Sequence, residues 1–310
     1  MSDETVNASS ASDAELEFVR SLPVPSEVLA AGHELKVPAR QWMDGHVLGN
    51  GDLGVVVWGH SEQICLGFSK HDINDLRGPE HGTRWAATYP ELRWRVMAGE
   101  RFVVEGLRDT TEHTPRWPIP LPAGRLVLEP LRGIQEEGFR QRLSFVKAEC
   151  EVTAIPTQWG RSWGMEFAPV VMRAFVHADL NVALIELSSD LPQRVRWGFE
   201  QNPNLPLSPP AYEARDTEVG QVGLAAQALI LQQGFAVAIG ASTPTFRASG
   251  CEQGLQGVIE FGGEAGPAVL AVTLATEHDT GGADPTGRAL ELLQEALRAD
   301  FPALREEHRA

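Results

Sequence analysis

The sequence predicts an all-β protein, a large two-layer antiparallel sandwich with a short helical insertion and a helical C-terminal segment. Two observations carry that class. From Arg40 to Thr276 the chain reads as short strands broken by Gly and Pro: "DLGVVVWG", "QICLGF", "GRLVLEPL", "RLSFVKAECEVTAI", "PVVMRAFVHADLNVALIEL", "VRWGFEQ", "LILQQGFAVAIGAS" and "AVLAVTLAT". These strands are of two kinds. In "VRWGFEQ", Val195, Trp197 and Phe199 alternate with Arg196, Gly198 and Glu200, the period of two of a strand with one wet face. In "ALIEL" and "AVLAVTLA" nearly every position is apolar, so both faces must be covered. A mixture of the two suggests inner and outer strands of a two-layer body.

Taken in order, residues 1–35 read as a mobile leader, rich in Ser, Ala, Asp and Glu, with "PVPSE" blocking regular structure. Nothing catalytic is expected there. Next comes the stretch "HVLGNGDLGVVVWG", in which Gly49, Gly51 and Gly54 spell a dinucleotide-binding G-x-G-x-x-G with Asp72 and Asp75 at about the 20-residue offset of a ribose-binding acid. A pyrophosphate loop must open onto a helix N-terminus. Gly54 instead leads into Val55-Val56-Val57-Trp58, and β-branched runs of that kind lose rotamer freedom in a helix and fit a pleated sheet. The reading is therefore a β-hairpin turning at Asn50-Gly51, a pair that reaches positive φ cheaply. A helical insertion is expected at 90–99, where Pro90 sits at the first turn and Leu92 and Val96 share a face, as an ordinary surface helix. Last, Asp284-Pro285 offers a cap and a first-turn Pro, and Leu290, Leu293, Leu297, Phe301 and Leu304 recur at helical spacing with a break at Pro302. That apolar stripe needs a partner, and "PALREEHRA" stops without a Gly or Asn cap, so the expectation is a linker helix running toward a further domain. The organisation expected is thus a leader at 1–35, a β domain at 36–280 and a helical linker at 281–310.

Composition narrows the function classes. The chain has 310 residues, 43% of them hydrophobic, enough for a sizeable core. Its formal charge of −16 repels nucleic acid and anionic membrane surfaces, so neither is expected as a partner. The three cysteines, Cys65, Cys150 and Cys251, are odd in number and far apart, and imply no disulfide framework or C-x-x-C site. No secretory signal or spanning run occurs, and a cytoplasmic location is the default.

The acid-rich segment "KHDINDLRGPEHGTRW", Lys70 to Trp85, is the best internal candidate for a binding site. Asp72, Asn74, Asp75 and Arg77 offer hydrogen bonds to sugar hydroxyls and Trp85 an apolar platform. The same loop also reads as self-bonded, its Asx side chains satisfying backbone N–H groups. Asn50 and Asp52 at the hairpin tip are further candidates, although both residues are usual there for backbone reasons. Calcium is excluded in the EF-hand form, because Gly78 and Thr83 miss the required positions. Zinc through His71, Asp75 and His81 has no helical His pair or Cys pair behind it, so solvated histidines are the reading preferred. No metal or cofactor is expected. Most tryptophans should fill the core, with Trp159 and Trp163 the expected exposed pair. No G-x-S-x-G nucleophile elbow occurs.

Several stretches together resemble the N-terminal domain of the glycoside hydrolases of family 95, the α-L-fucosidase-like enzymes. "LGNGDLGVVVWG" is similar to that family's "GNGRLGAMVFG" hairpin, "ICLGFSKHDINDLR" to its "IQLNEDTLWSG" continuation, and "MRAFVHADLNVALIELSSDLP" to its "REFFVSHPDNVLVVRLSAD-P". The resemblance spans Arg40 to Ala310 and implies a β-supersandwich followed by a helical linker and an (α/α)6 barrel. Where the family has Asn-Glu-Asp-Thr-Leu-Trp, this chain has Ser69-Lys70-His71-Asp72-Ile73-Asn74, so a substrate other than fucose is expected. The family's catalytic carboxylates belong to the barrel, so no catalytic residue is transferred to this sequence. The resemblance implies an accessory domain of a glycosidase that braces the barrel and lends Ser69 to Trp85 to the rim of its sugar pocket. Two other readings are a free-standing carbohydrate-binding or scaffold protein, which expects the terminal helix to bury Leu290, Leu293 and Leu297 on its own sheet, and a complete hydrolase using Asp72 and Asp75.

Overall fold

The computed structural model describes residues 26–60, 63–75, 119–130, 138–155, 168–201, 210–227, 234–252 and 254–309, together with 94, 97 and 98. The strands in chain order are β1 (His33–Leu35), β2 (His46–Gly49), β3 (Leu53–His60), β4 (Gln63–Asp75), β5 (Ile119–Pro130), β6 (Arg140–Ser144), β7 (Glu149–Ala154) and β8 (Val170–Val176). They continue as β9 (Val182–Ser188), β10 (Gln193–Glu200), β11 (Ala211–Thr217), β12 (Gly220–Gln227), β13 (Phe235–Ala241), β14 (Arg247–Cys251), β15 (Gly254–Phe261) and β16 (Ala268–Thr276). One sheet runs β1-β6-β7-β8-β9-β16-β13-β12-β11 and the other β14-β15-β10-β5-β4-β3-β2, with every pairing antiparallel. The all-β antiparallel sandwich is as the sequence predicts.

The two kinds of strand take the places their patterns demand. On β10 Val195, Trp197 and Phe199 face the inter-sheet core while Arg196 and Glu200 meet solvent. Every residue of β16 is buried, because one of its faces looks into the core and the other lies under helices. These helices are α2 (Pro285–Arg298) and α3 (Phe301–Arg309); a short α1 (Ser26–Ala31) precedes β1. Asp284 caps α2 by accepting from the Thr286 N–H at 2.9 Å, with Pro285 in the first turn. Ala289, Leu293 and Ala296 are buried against the outer face of the nine-stranded sheet, with Leu290 and Leu297 packed beside them. Gly240 permits that approach: a Cβ there would lie 3.0 Å from Leu297 and 3.2 Å from Leu293.

Four local expectations need correction. The apolar stripe of the C-terminal segment has its partner in the chain's own sheet, as the free-standing reading expects, so it no longer argues for a partner outside the chain. Regular structure begins within the stretch read as a mobile leader, because β1 pairs with β6 through His33 and Leu143. The hairpin turns at Gly51-Asp52, one residue later than expected: Asn50 closes the loop by donating its N–H to the Leu53 carbonyl at 3.2 Å, and Gly51 takes the positive φ of 93°. "RLSFVKAECEVTAI" is two strands, broken by a turn in which Ala148 adopts φ 47°. Of the expected insertion at 90–99, only 94, 97 and 98 are described, with Ala98 N–H bonded to Trp94 O at 2.9 Å; the rest lies outside the described residues.

Candidate functional site

At the end of the sandwich where the β2–β3 hairpin turns, three segments converge on one lysine. β4 carries Ile64, Leu66 and Phe68 inward, and the same alternation turns Lys70 inward, where it is 1% exposed. Pairing with β5 shifts register between Phe68 and Asn74, as at a β-bulge. The Lys70 ammonium lies 3.0 Å from Asp52 in the hairpin tip, 3.1 Å from Asp72 on β4 and 3.1 Å from Asp279 in the β16–α2 turn. Burying an unpaired ammonium would be prohibitive, so the three carboxylates are a condition of Lys70 being inside. Burial alone would lower the Lys70 pKa, but the hydrogen bonds it donates to Asp52 and Asp72 outweigh it and hold the value above ordinary. Burial likewise pushes Asp52 upward, and its bonds to Lys70 and His71 prevail, so Asp52 sits below the usual carboxylate range.

The surrounding groups are tied as tightly. His71 Nδ1 bonds Asp52, and the Asn181 amide donates to the same carboxylate. Thr276 Oγ1 donates to Asp72, and the Thr276 N–H donates to Asp279 at 2.8 Å. Asn50 uses its whole amide: Oδ1 accepts from the Asp52 and Leu53 N–H groups at 3.0 and 2.8 Å, and Nδ2 donates to the His177 and Leu180 carbonyls at 3.0 and 3.2 Å. Asn74 donates to the His71 carbonyl at 2.9 Å. The self-bonded reading therefore describes Asn50 and Asn74, whose side chains satisfy backbone groups.

Of the residues singled out in the sequence, Asp52 and Asp72 meet on one ammonium, Asn50 braces the turn beside them, and Asn74 holds the backbone of β4. Asp75 ends β4 opposite Ile119, but its side chain, Arg77 and Trp85 lie outside the described residues, as do His81, Trp117, Trp159 and Trp163. Trp197 is a core residue stacked on Phe246 with ring centroids 5.0 Å apart, whereas Trp42 is 62% exposed. Lys70 as the hub was missed, although the signal was present: the inward alternation of β4 continues onto it. Asp279 and Thr276 had no such signal, being more than 200 residues away from β4.

Asp52, His71 and Asp72 bring ligand atoms within 4.8 Å of one another and could hold a metal ion. Lys70 already supplies positive charge to both carboxylates, so an added cation would compete with it. Bonds to Lys70 and His71 favour the ionised form of Asp52. The buried cysteines are inert: desolvation pushes Cys65 up to about 11 and Cys150 to about 12.

No family model and no curated protein matches the chain. Among solved structures, the chain is similar to one described as a kojibiose phosphorylase from human microbiome, with a TM-score of 0.54 and 11% sequence identity over 85% of this chain. The chain spans about a third (34%) of that protein's length. At this identity the likeness shows the fold, a β-sandwich of the same architecture. Among the described residues no helix is long and apolar enough to cross a membrane.

Proposed function

We propose that this chain is the β-supersandwich domain of a carbohydrate-active enzyme, silent in catalysis by itself, which packs against a helical barrel and helps shape its sugar pocket. The observation that carries this is the likeness over 85% of the chain to a protein described as a disaccharide phosphorylase, of which the chain matches only 34%. The Lys70 hub supports it: the hub ties the hairpin tip and the start of the acid-rich segment, Lys70 to Asp72, to the β16–α2 turn. The candidate sugar contacts are Asn50, Asp52, Asp72, Asn74, Asp75, Arg77 and Trp85, with Asn50 and Asn74 acting through the backbone they hold. Membership of family 95 and a cytoplasmic location are the finer parts of the proposal. Phosphorolysis stands beside hydrolysis as the reaction of the whole enzyme.

The test compares this chain alone with the same chain joined to a helical-barrel domain, on aryl fucosides and glucosides and on α-linked glucose disaccharides with and without inorganic phosphate. Turnover only by the joined form is expected. Equal turnover by the chain alone would overturn the proposal.

A further inference from the structure

We propose that the solvent-facing side of the seven-stranded sheet carries a binding trough for a neutral oligosaccharide, separate from the Lys70 hub and independent of the domain assignment above. The sheet there forms an open trough of about 440 Å3, within the range of small-molecule sites. Its floor is Gly198 on β10, which lies in register between Val127 of β5 and Gln256 of β15. A Cβ at Gly198 would meet one atom only, the Leu255 carbonyl oxygen at 3.7 Å, so the space above it is open.

The walls are polar, with Glu129, Arg196 and Glu200 in the lining. Arg196 pairs with Glu129 at 3.0 Å, and Glu200 pairs at 2.7 Å with Arg125, which stands outside the lining. The two carboxylates repel a net anion, and their pairing with arginines weakens their pull on a net cation, so a neutral ligand is favoured. A polyol fits, because each carboxylate keeps lone pairs for adjacent hydroxyls and the Arg196 guanidinium keeps N–H donors. All four side chains are between 42% and 64% exposed, and exposed pairs contribute little to stability, so hydroxyls can share them without cost to the fold. Gln256 adds an exposed amide, and the partly exposed Val258 gives the C–H face of a sugar ring an apolar contact, with the buried Val127 beneath.

Cys251 supplies the probe. It lines the same trough and is exposed, while Cys65 and Cys150 are buried, so iodoacetamide reports on the trough without any mutation. Alkylation of Cys251, read by mass spectrometry, should slow at least fivefold and saturably with maltoheptaose or cellohexaose, and stay unchanged with an acidic galacturonate oligomer. Gly198→Val fills the floor where a side chain has room, so it should keep the melting temperature and weaken protection at least tenfold. Gln256→Ala, at an exposed position, should weaken it several-fold and stands in should Gly198→Val fail to fold. Absence of saturable protection by both neutral oligosaccharides, equal protection by the acidic oligomer, or wild-type protection in a folded Gly198→Val protein would overturn the proposal. Such a failure leaves the two-domain assay untouched, and failure of that assay leaves this one standing.

Discussion

The middle of the outer face of the nine-stranded sheet lies under α2 and α3, with Leu293 fully buried, whereas the outer face of the seven-stranded sheet meets solvent through Arg194, Arg196 and Glu200. On the first face apolar side chains from β16 and β13 close on those of a helix. On the second, each of three cations is opposite an acid on a neighbouring strand: Arg194 with Glu260, Arg196 with Glu129, Arg125 with Glu200. The contrast teaches where this molecule keeps its stability and where it is free to bind. The pair of Glu149 with Arg305 beneath α3 is largely buried, while those on the open face are easily rearranged.

The largest effect is expected where the two sheets meet. Lys70→Met should cost about 3 kcal/mol, the lower end of the range for breaking a buried pair, because the three acids left behind retain some solvent. Chemical denaturation measures it, and a loss under about 1 kcal/mol would show that the hub does not join the sheets. On the covered face, Leu293→Ala should cost about 2–3 kcal/mol, toward the lower end for Leu→Ala, since the cavity is walled by the sheet and collapses in part. A negligible change would mean that α2 is not held against the sheet in solution.

Glu149 sharpens the comparison. It is buried at the start of β7, accepts from Arg305 at 2.7 and 2.8 Å and from Arg309 at 3.0 Å, and forms a further ion pair with Arg309 at 2.8 Å, fixing α3. Burial works to raise its pKa, but the bonds and charge of Arg305 prevail and hold it below the ordinary 4.5. Glu149→Gln should cost about 2 kcal/mol near neutral pH, as expected for losing charge-assisted hydrogen bonds. Because the folded-state value is depressed, this stabilisation is present above pH 4.5 and is lost as pH falls through the lower folded value. The melting temperatures of wild type and Glu149→Gln should therefore converge on acidification below pH 4.5, and a gap that stays constant over the whole acid range in which the fold persists would sink this account. The smallest effect belongs to the open face: Arg196→Ala should change stability by less than about 0.5 kcal/mol, since its pair with Glu129 is well exposed. A loss above about 1 kcal/mol would erase the distinction between the faces.

Much of the fold was legible in single strands. The alternation of "VRWGFEQ" showed which side of β10 is wet, and the unbroken apolar run of "AVLAVTLAT" announced a strand covered twice, although it could not say by what. Strands β11, β12, β14 and β15 were not read, because Gly, Ala and charged residues dilute their pattern; β11 is mostly exposed along its length, as befits a sheet edge. The candidate site was legible in part. Asp52 and Asp72 stood out as acids near a turn, but nothing in their spacing tells whether a carboxylate faces a sugar or an ammonium.

What the sequence by itself determined, then, is local: strand periods, the cap at Asp284, the hairpin after Gly49 and the amphipathic tail, each set by backbone sterics and by which side chains leave water. Only the tertiary structure decided partners. It placed the tail on the chain's own sheet and set Asp279 beside Lys70, because burying apolar area and neutralising an enclosed charge depend on which surfaces meet in space, and separation along the chain carries no record of that.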